Sequence, residues 1–470
     1  MSQEINPAFK GNGFIETDLL RARSYGPEID FTASPLELAR PSRPPDQSKL
    51  RILFVALVNN VGIERVIAEI ADHGAVCALL SPPDYYCTQT TALAQHFSLP
   101  TLPSVWLHAL LVRRRLESIA RDWQPTLVVP LDDIAAWLLR SLATKSSVSQ
   151  LLRDLLVNSF GSPSGYKAVV SRRELMDVAS RLGVRKPYHL QADAVTDFPA
   201  VPENWDLPLF LKTEHSCGGD GVTMVPDTAE LRKQLQAKLS VGLRRRFIGQ
   251  VKRFLCAMAG FHLGSENSIL IQSCARGIPA FRTVAAWNGQ VIAGVSFAAE
   301  CVHPEPTGAS TVVRLVNNRE MDEIAVVMTA ALGCSGFVSY DFMIDEEEDR
   351  AALIEMNPRC VGSCHLGKLF GHDVCGALVA FLTGAAIPEL PAPSGTKLVA
   401  LFPKELERDP SSCYLHASEA IHDVPRGEPA LIATYLRRLV ELHPARANEI
   451  VKIVQGASEN LSIVDVPASH

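Results

Sequence analysis

Asp341, Glu355 and Asn357 lie within Gly336–Arg359, a stretch that reads as a pair of strands joined by an acidic turn. In the first strand Val338, Tyr340, Phe342 and Ile344 alternate with Ser339, Asp341 and Met343; in the second, Ile354 and Met356 alternate with Leu353, Glu355 and Asn357. Residues spaced by two share a sheet face, so each strand has an apolar face and a face bearing oxygen donors. A hairpin folded at Glu346–Arg350 sets Asp341 opposite Glu355 and Phe342 opposite Ile354. Directly opposed residues lie about 5 Å apart at Cβ, where like charges repel unless something neutralises them. A pair of carboxylates with an amide oxygen suits Mg²⁺, or Mn²⁺, because such an ion keeps waters and substrate phosphates among its ligands. Arg359 ends the same face and offers a bidentate fork to a phosphate or carboxylate. The plainer alternative is the wet face of a surface hairpin.

A phosphate-holding partner for this hairpin is found upstream. In Leu209–Val225, LFLKTEHSCGGDGVTMV, an apolar strand carries Lys212, then Gly218, Gly219 and Gly221 precede another strand. Glycines let backbone N–H groups approach a phosphate closely and adopt positive φ. Upstream again, Ser171–Pro187 is an amphipathic helix capped by Ser171, with Leu175, Val178, Ala179 and Leu182 on one side and Gly183 and Pro187 at its stop. A Walker A loop is not present: GSPSGYKA has the wrong spacing and no Ser or Thr after its lysine. Strand SILIQSCA carries Gln272; a hairpin about Trp287-Asn288-Gly289 follows, with Arg282 on its first strand facing nucleotide or solvent. His303–Arg314 reads as a loop in which Arg314 is a candidate for a substrate carboxylate. A helix over Met321–Leu332 then leads into the metal hairpin.

Taken in order, these pieces resemble the ATP-grasp superfamily, and the E-M-N-P-R end of the hairpin is similar to the metal-binding end of biotin carboxylase and carbamoyl-phosphate synthetase domains. The resemblance covers about residues 165–390. It implies ATP with Mg²⁺; Asp341, Glu355 and Asn357 as metal ligands; Arg359 as a catalytic and substrate arginine; and Lys212 as a catalytic and phosphate-binding lysine. It implies Arg172, eleven residues before Gly183, as a phosphate contact, with Arg173 and Lys167 as competitors. The glycines would close over the phosphates. Gln272 would stand at the adenine pocket, where Ser273, Cys274 and Ala280 depart from the usual pattern. Gly362 and Ser363 would line the acceptor site. The reaction implied is ligation of a small-molecule carboxylate, of amino-acid or dipeptide type, to an amine through an acyl phosphate, with release of ADP and phosphate. A nucleotide-binding regulatory or scaffold protein is the alternative. Biotin-carboxylase-type bicarbonate activation is disfavoured by Cys360-Val361-Gly362-Ser363, where that family continues Q-V-E-H.

The elements that must carry this machinery follow an α/β and α+β plan. Residues 1–48 are an extension rich in Pro, Ser and charge near their end. Residues 49–160 read as a Rossmann-like parallel α/β layer: strands at Leu50–Val58 and Ala75–Leu80, a helix over Gly62–His73, another over Val105–Trp123, then PTLVVPLDD and a helix over Ile134–Leu142. The Asn59–Gly62 turn lacks G-x-G-x-x-G, so it is a substrate-holding candidate instead. Of Asp132 and Asp133, one is expected to cap a helix. Residues 161–395 form the two-lobed ATP-grasp domain, with its flap lobe about 185–275. Residues 396–470, with helices over Pro429–Leu442 and Ala445–Val454, close the cleft or make a subunit contact, a homodimer being one option. Cys360, Cys364, His365, His372 and Cys375 match no common zinc spacing, and helix packing accounts for their surroundings.

At 470 residues, with 47% hydrophobic and 20% charged residues, the chain has the composition of a multidomain globular protein. A net charge of −6 argues against nucleic acid as a partner, and no apolar run is long enough to span a membrane. The start shows no secretory signal, and eleven scattered cysteines fit a reducing compartment, so a cytoplasmic location is expected.

Overall fold

The computed structural model describes residues 49–101, 105–192, 199–213, 221–239, 269–387, 397–416 and 418–456. Gly218 and Gly219 lie outside them. Its first layer is a four-stranded parallel sheet of β1 (Arg51–Val55), β2 (Val76–Ser81), β3 (Leu93–Ser98) and β4 (Leu127–Pro130), in the order β3-β2-β1-β4. Its helices are α1 (Glu64–Asp72), α2 (Val105–Asp122), α3 (Asp133–Ala143) and α4 (Gln150–Phe160). Near-continuous apolar runs make strands buried on both faces. Leu53, Val55 and Val128 pack with Leu116, Leu138, Leu139 and Leu156 on one side; Ile52, Phe54, Leu79 and Val129 join a second core on the other.

After α5 (Tyr166–Val170) and α6 (Arg172–Arg181) comes a small antiparallel sheet: β5 (His189–Ala192), β6 (Leu209–Thr213), β7 (Val222–Val225) and β8 (Ile269–Gln272), ordered β5-β8-β6-β7. Helix α7 (Thr228–Leu239) covers one face, where Leu209, Leu211, Ile269 and Ile271 meet Leu231 and Leu235. Alternation puts Lys212, Leu270 and Gln272 on the opposite face.

The third sheet has seven strands. Strands β9 (Ile278–Trp287), β10 (Gln290–His303) and β11 (Ala309–Leu315) precede α8 (Arg319–Leu332), and the hairpin of β12 (Gly336–Asp345) and β13 (Arg350–Asn357) follows. Beyond it lie α9 (Val374–Thr383), β14 (Leu398–Ala400), α10 (Lys404–Arg408), β15 (Ile421–His422), α11 (Pro429–Leu442) and α12 (Ala447–Gly456). The order is β13-β12-β9-β10-β11-β14-β15. One face of this sheet receives α8, through Val284, Tyr340, Phe342 and Leu353. The other merges Trp287, Phe297 and Phe337 with α9 and the parallel layer in one core. Each such fully buried side chain contributes about 1.5–3 kcal/mol.

Several expectations change here. Arg314 lies on a strand, β11, and not in a loop. The hairpin pairs Asp341 with Glu355 as the alternation predicts, but Phe342 pairs with Leu353 because the register shifts between Asp341 and Phe342. Ile354 is the extra residue of a β-bulge. The bulge moves Leu353 and Ala351 to the core face while Met356 stays there, so all three are buried and Glu355 and Asn357 keep the other face. The link between the small and large sheets is equally constrained: Gly277 has φ +103°, and a Cβ there would collide with the Ile344 carbonyl oxygen.

Candidate functional site

The end of β12 and β13 supplies the oxygen donors. Asn357 Nδ2 donates to Asp341 Oδ2 at 2.9 Å, and Ser339, paired with Asn357, accepts from Thr283 Oγ1 at 3.3 Å. Burial pushes the Asp341 carboxyl up to about 7, and the Glu355 charge opposite adds to this. Glu355 is held from the small-sheet side: Arg172 donates from Nη2 at 2.6 Å and from Nε at 3.1 Å to its Oε1. Arg172 also donates to the Thr213 carbonyl, next to Lys212. It begins α6 because Ser171 caps the helix, accepting from Glu174 N.

Lys212 is 5% exposed, and burial lowers its pKa to about 8 against the opposing pull of Glu355 and Asp341. It is therefore a neighbour of both acids. Gln272, on the same sheet face, is buried, and among the described residues its Nε2 has no hydrogen-bond partner. The Gly221 carbonyl accepts from Thr213 N at 3.1 Å. A second buried lysine, Lys186, missed in the sequence, bonds His189 Nδ1 at 3.0 Å near Gln272; burial lowers it to about 8. Nothing in GVRKP marks it apart from any other helix-terminal lysine.

The parallel layer closes the other side. Asp132 caps α3 through Ala135 N and also accepts from Leu57 N and Val58 N, which ties the turn after β1 to β4. Asp133 instead takes the Arg359 guanidinium in a fork, Nε to Oδ1 at 2.7 Å and Nη2 to Oδ2 at 3.0 Å. Arg359 Nη2 also reaches Asn357 Oδ1 at 3.2 Å. A pocket opens here, lined by Asp133, Trp137, Ser171, Arg172, Glu355 and Pro358 among others. Gly362 sits against the Asn59–Gly62 turn, where an added Cβ would lie 3.3 Å from the Gly62 carbonyl oxygen, and Ser363 is half-buried beside it.

Two expected residues stand elsewhere. Arg282 pairs with Tyr340, so it faces α8 and not the Asp341 side; it is held by Asp322 at 2.6 Å and by Ser296 Oγ at 2.9 Å. Arg314 pairs with Ala298, whose side chain packs in the α8 core, and bridges Glu346 at 2.7 Å and Glu300 at 3.6 Å. Strand parity excludes both from the acidic face. Cys360 and Cys364 are buried with their sulfurs 3.7 Å apart, and burial holds Cys360 and Cys375 well above the usual thiol range.

The raised Asp341 pKa has a consequence for stability. A carboxyl whose folded pKa is raised binds its proton more tightly folded than unfolded, so its contribution favours the fold at low pH. That contribution is lost as pH rises through about 7 and amounts to a few kcal/mol. Without divalent metal, the thermal midpoint should therefore fall between pH 5 and pH 8 more steeply in wild type than in Asp341→Asn. MgCl₂ should raise the wild-type midpoint more at pH 8 than at pH 5. Identical profiles in the variant would dissociate Asp341 from both effects.

No family model matches the chain. A D-alanine–D-alanine ligase of Polynucleobacter asymbioticus is 25% identical over 179 residues, which make up 37% of this chain and 48% of that protein. The chain thus spans about half the length of the curated relative it matches. Among solved structures, an L-amino acid ligase from Bacillus licheniformis is 14% identical with a TM-score of 0.47, covering 71% of this chain and 74% of that one. An N5-carboxyaminoimidazole synthetase from Staphylococcus aureus, complexed with ADP, is 11% identical with a TM-score of 0.49, covering 73% and 79%. Likeness at this level says nothing of activity. The described residues form three sheets with the hairpin's acids opposed, and 179 residues of the chain are similar to the ligase relative.

Proposed function

We propose that this protein is an ATP-dependent ligase that joins a carboxylate to an amine through an acyl phosphate, releasing ADP and phosphate. The observation that carries the reading is the meeting of Asp341, Glu355 and Asn357 with Arg172, Lys212 and Arg359 at the junction of all three sheets. The donor set, two opposed carboxylates and an amide oxygen, fits a hard divalent cation, and burial together with the facing Glu355 charge raises the Asp341 carboxyl to about 7. Asp341, Glu355 and Asn357 would hold Mg²⁺, which when bound offsets the phosphate charge that repels an incoming carboxylate. Lys212 and Arg172 orient the phosphates of ATP. Gln272, whose buried Nε2 has no partner among the described residues, recognises the base. Arg359, aimed by Asp133, binds the carboxylate and stabilises charge on the transferring group. Gly362 and Ser363 leave room for the amine against the Asn59–Gly62 turn.

No helix among the described residues is long and apolar enough to cross a membrane, and the cysteines among them are all free, which supports a reducing compartment. The deciding experiment measures ADP and phosphate release from Mg-ATP over pooled amino acids and small carboxylic acids, with mass analysis. A product equal to both substrates less water establishes the ligase. Release of AMP and pyrophosphate overturns the acyl phosphate, and ATP binding without release returns the regulatory reading.

A further inference from the structure

Arg359 has cationic company supplied by the C-terminal segment. Lys404 opens α10, two residues after Phe402. This segment is wrapped onto the turn after β1: Arg65 Nη2 donates to the Phe402 carbonyl, Gly62 N donates to the Tyr435 hydroxyl at 3.0 Å, and Val61 packs on the cluster around Phe402 and Leu406. The same turn touches Gly362, in the loop that follows Arg359. Lys404 is thus seated where the N-terminal turn, the loop after Arg359 and the C-terminal segment converge. Burial lowers its ammonium pKa, and so do its neighbours Arg65 and Arg359; Glu407 and Glu64 oppose them.

The partners of these groups are unevenly distributed. Arg359 is forked onto Asp133, Arg65 is paired with Asp423, and Glu407 is taken by Arg438 at 2.6 Å. Glu64 is fully buried, and burial raises its pKa, which makes it a poor counter-ion. Among the described residues, Lys404 has no hydrogen bond or ion pair. A half-buried ammonium beside guanidiniums is unfavourable until an anion joins it.

We propose that Lys404 holds a carboxylate that does not react, belonging to one of the two substrates, while Arg359 serves the reacting end. This rests on the ligase reading and narrows its substrate class: the pair must carry an anion beyond the carboxylate consumed, as an amino acid does when it is the amine, or a dicarboxylic acid when it is the acid. Residues at 397–456 then belong to the specificity pocket, beyond any role as a cover.

The test compares wild type, Lys404→Met and Lys404→Arg with probes that differ only in that carboxylate. As amines, the twenty L-amino acids are set against their carboxamides; as acids, glutarate and succinate are set against butyrate. ADP release is followed, with binding by calorimetry in Mg-ADP. Lys404→Met should raise KM at least tenfold for the free carboxylate of one series, with kcat and the KM for ATP unchanged. It should leave the carboxamide or butyrate counterpart unaffected, and Lys404→Arg should recover most of the loss. The series that responds names the substrate bearing the anion. Equal losses on both members of a series, or an unchanged KM throughout, overturn the inference while leaving the ligase standing. If wild type releases no ADP with any probe, the ligase reading fails, and calorimetry decides the subsite separately. Probe binding by wild type that Lys404→Met weakens tenfold retains the subsite, and no difference removes it.

Discussion

Replacing Glu355 by Gln is expected to abolish Mg-dependent ADP release, lowering turnover by roughly 10³-fold or more, about 4 kcal/mol of transition-state stabilisation. Gln keeps the shape and an oxygen for Arg172, which now bonds Oε1 at 2.6 Å. What it loses is the charge. That charge is the second cause, after burial, of the raised Asp341 pKa, and it opposes the lowering of Lys212. Without it the cluster of Arg172, Lys212 and Arg359 faces Asp341 alone, so the divalent cation has the weaker hold and the phosphates the more rigid cationic trap. A titration of ADP release against Mg²⁺, with the thermal midpoint as control for folding, checks this. Unchanged turnover would remove Glu355 from the metal set.

Arg359→Lys should lower turnover roughly 100-fold and raise the KM of the acid, although charge is conserved. An ammonium offers a point charge where the guanidinium fork spans both oxygens of a carboxylate. Here the fork is already aimed: Asp133 fixes Nε and Nη2 at 2.7 and 3.0 Å, leaving the remaining edge toward Asn357 and the cleft. Asp133→Asn should therefore cost about tenfold by itself and little more in the Arg359→Lys background, a non-additivity that marks residues acting as one unit. Fully additive losses in the double mutant would show that Asp133 does not act through Arg359.

The opposition of Asp341 and Glu355 was legible because strand alternation and turn position are local properties, both contained in one short stretch. Ser171 as the cap of α6 and the Asn288-Gly289 turn, with φ of +46° and +84°, were legible for the same reason. The bulge at Ile354 was not: AALIEMN alternates acceptably as an unbroken strand, and only the packing of α8 against Ala351, Leu353 and Met356 together requires the shift. Arg282 and Arg314 failed for a related cause. Their strands were readable in part, but which face of a sheet meets the cleft is decided by what packs on the other face. Asp133 joins Arg359 from 226 residues away, a pairing made by the fold and unmarked by any spacing. Lys404 lies in a segment whose neighbours appear only once the C-terminal turn is wrapped against the first layer.

The bulge also separates the hairpin into independently registered halves. From Asp345 to Phe342 the ladder is indexed on the acidic turn, and from Asp341 to Ser339 it is indexed on the asparagine and arginine end. Length variation in Glu346–Asp349 is absorbed at the tip, where Asp349 already adopts φ +51°. Removing Ile354, the extra residue, would leave Leu353 opposite Phe342 and Glu355 opposite Asp341, whereas removing Met356 would turn Asn357 toward α8. Among homologous chains, drift in length should thus collect at the acidic tip or at the bulge and be purged between Glu355 and Arg359, so that spacing behaves as a fixed ruler for the chemistry.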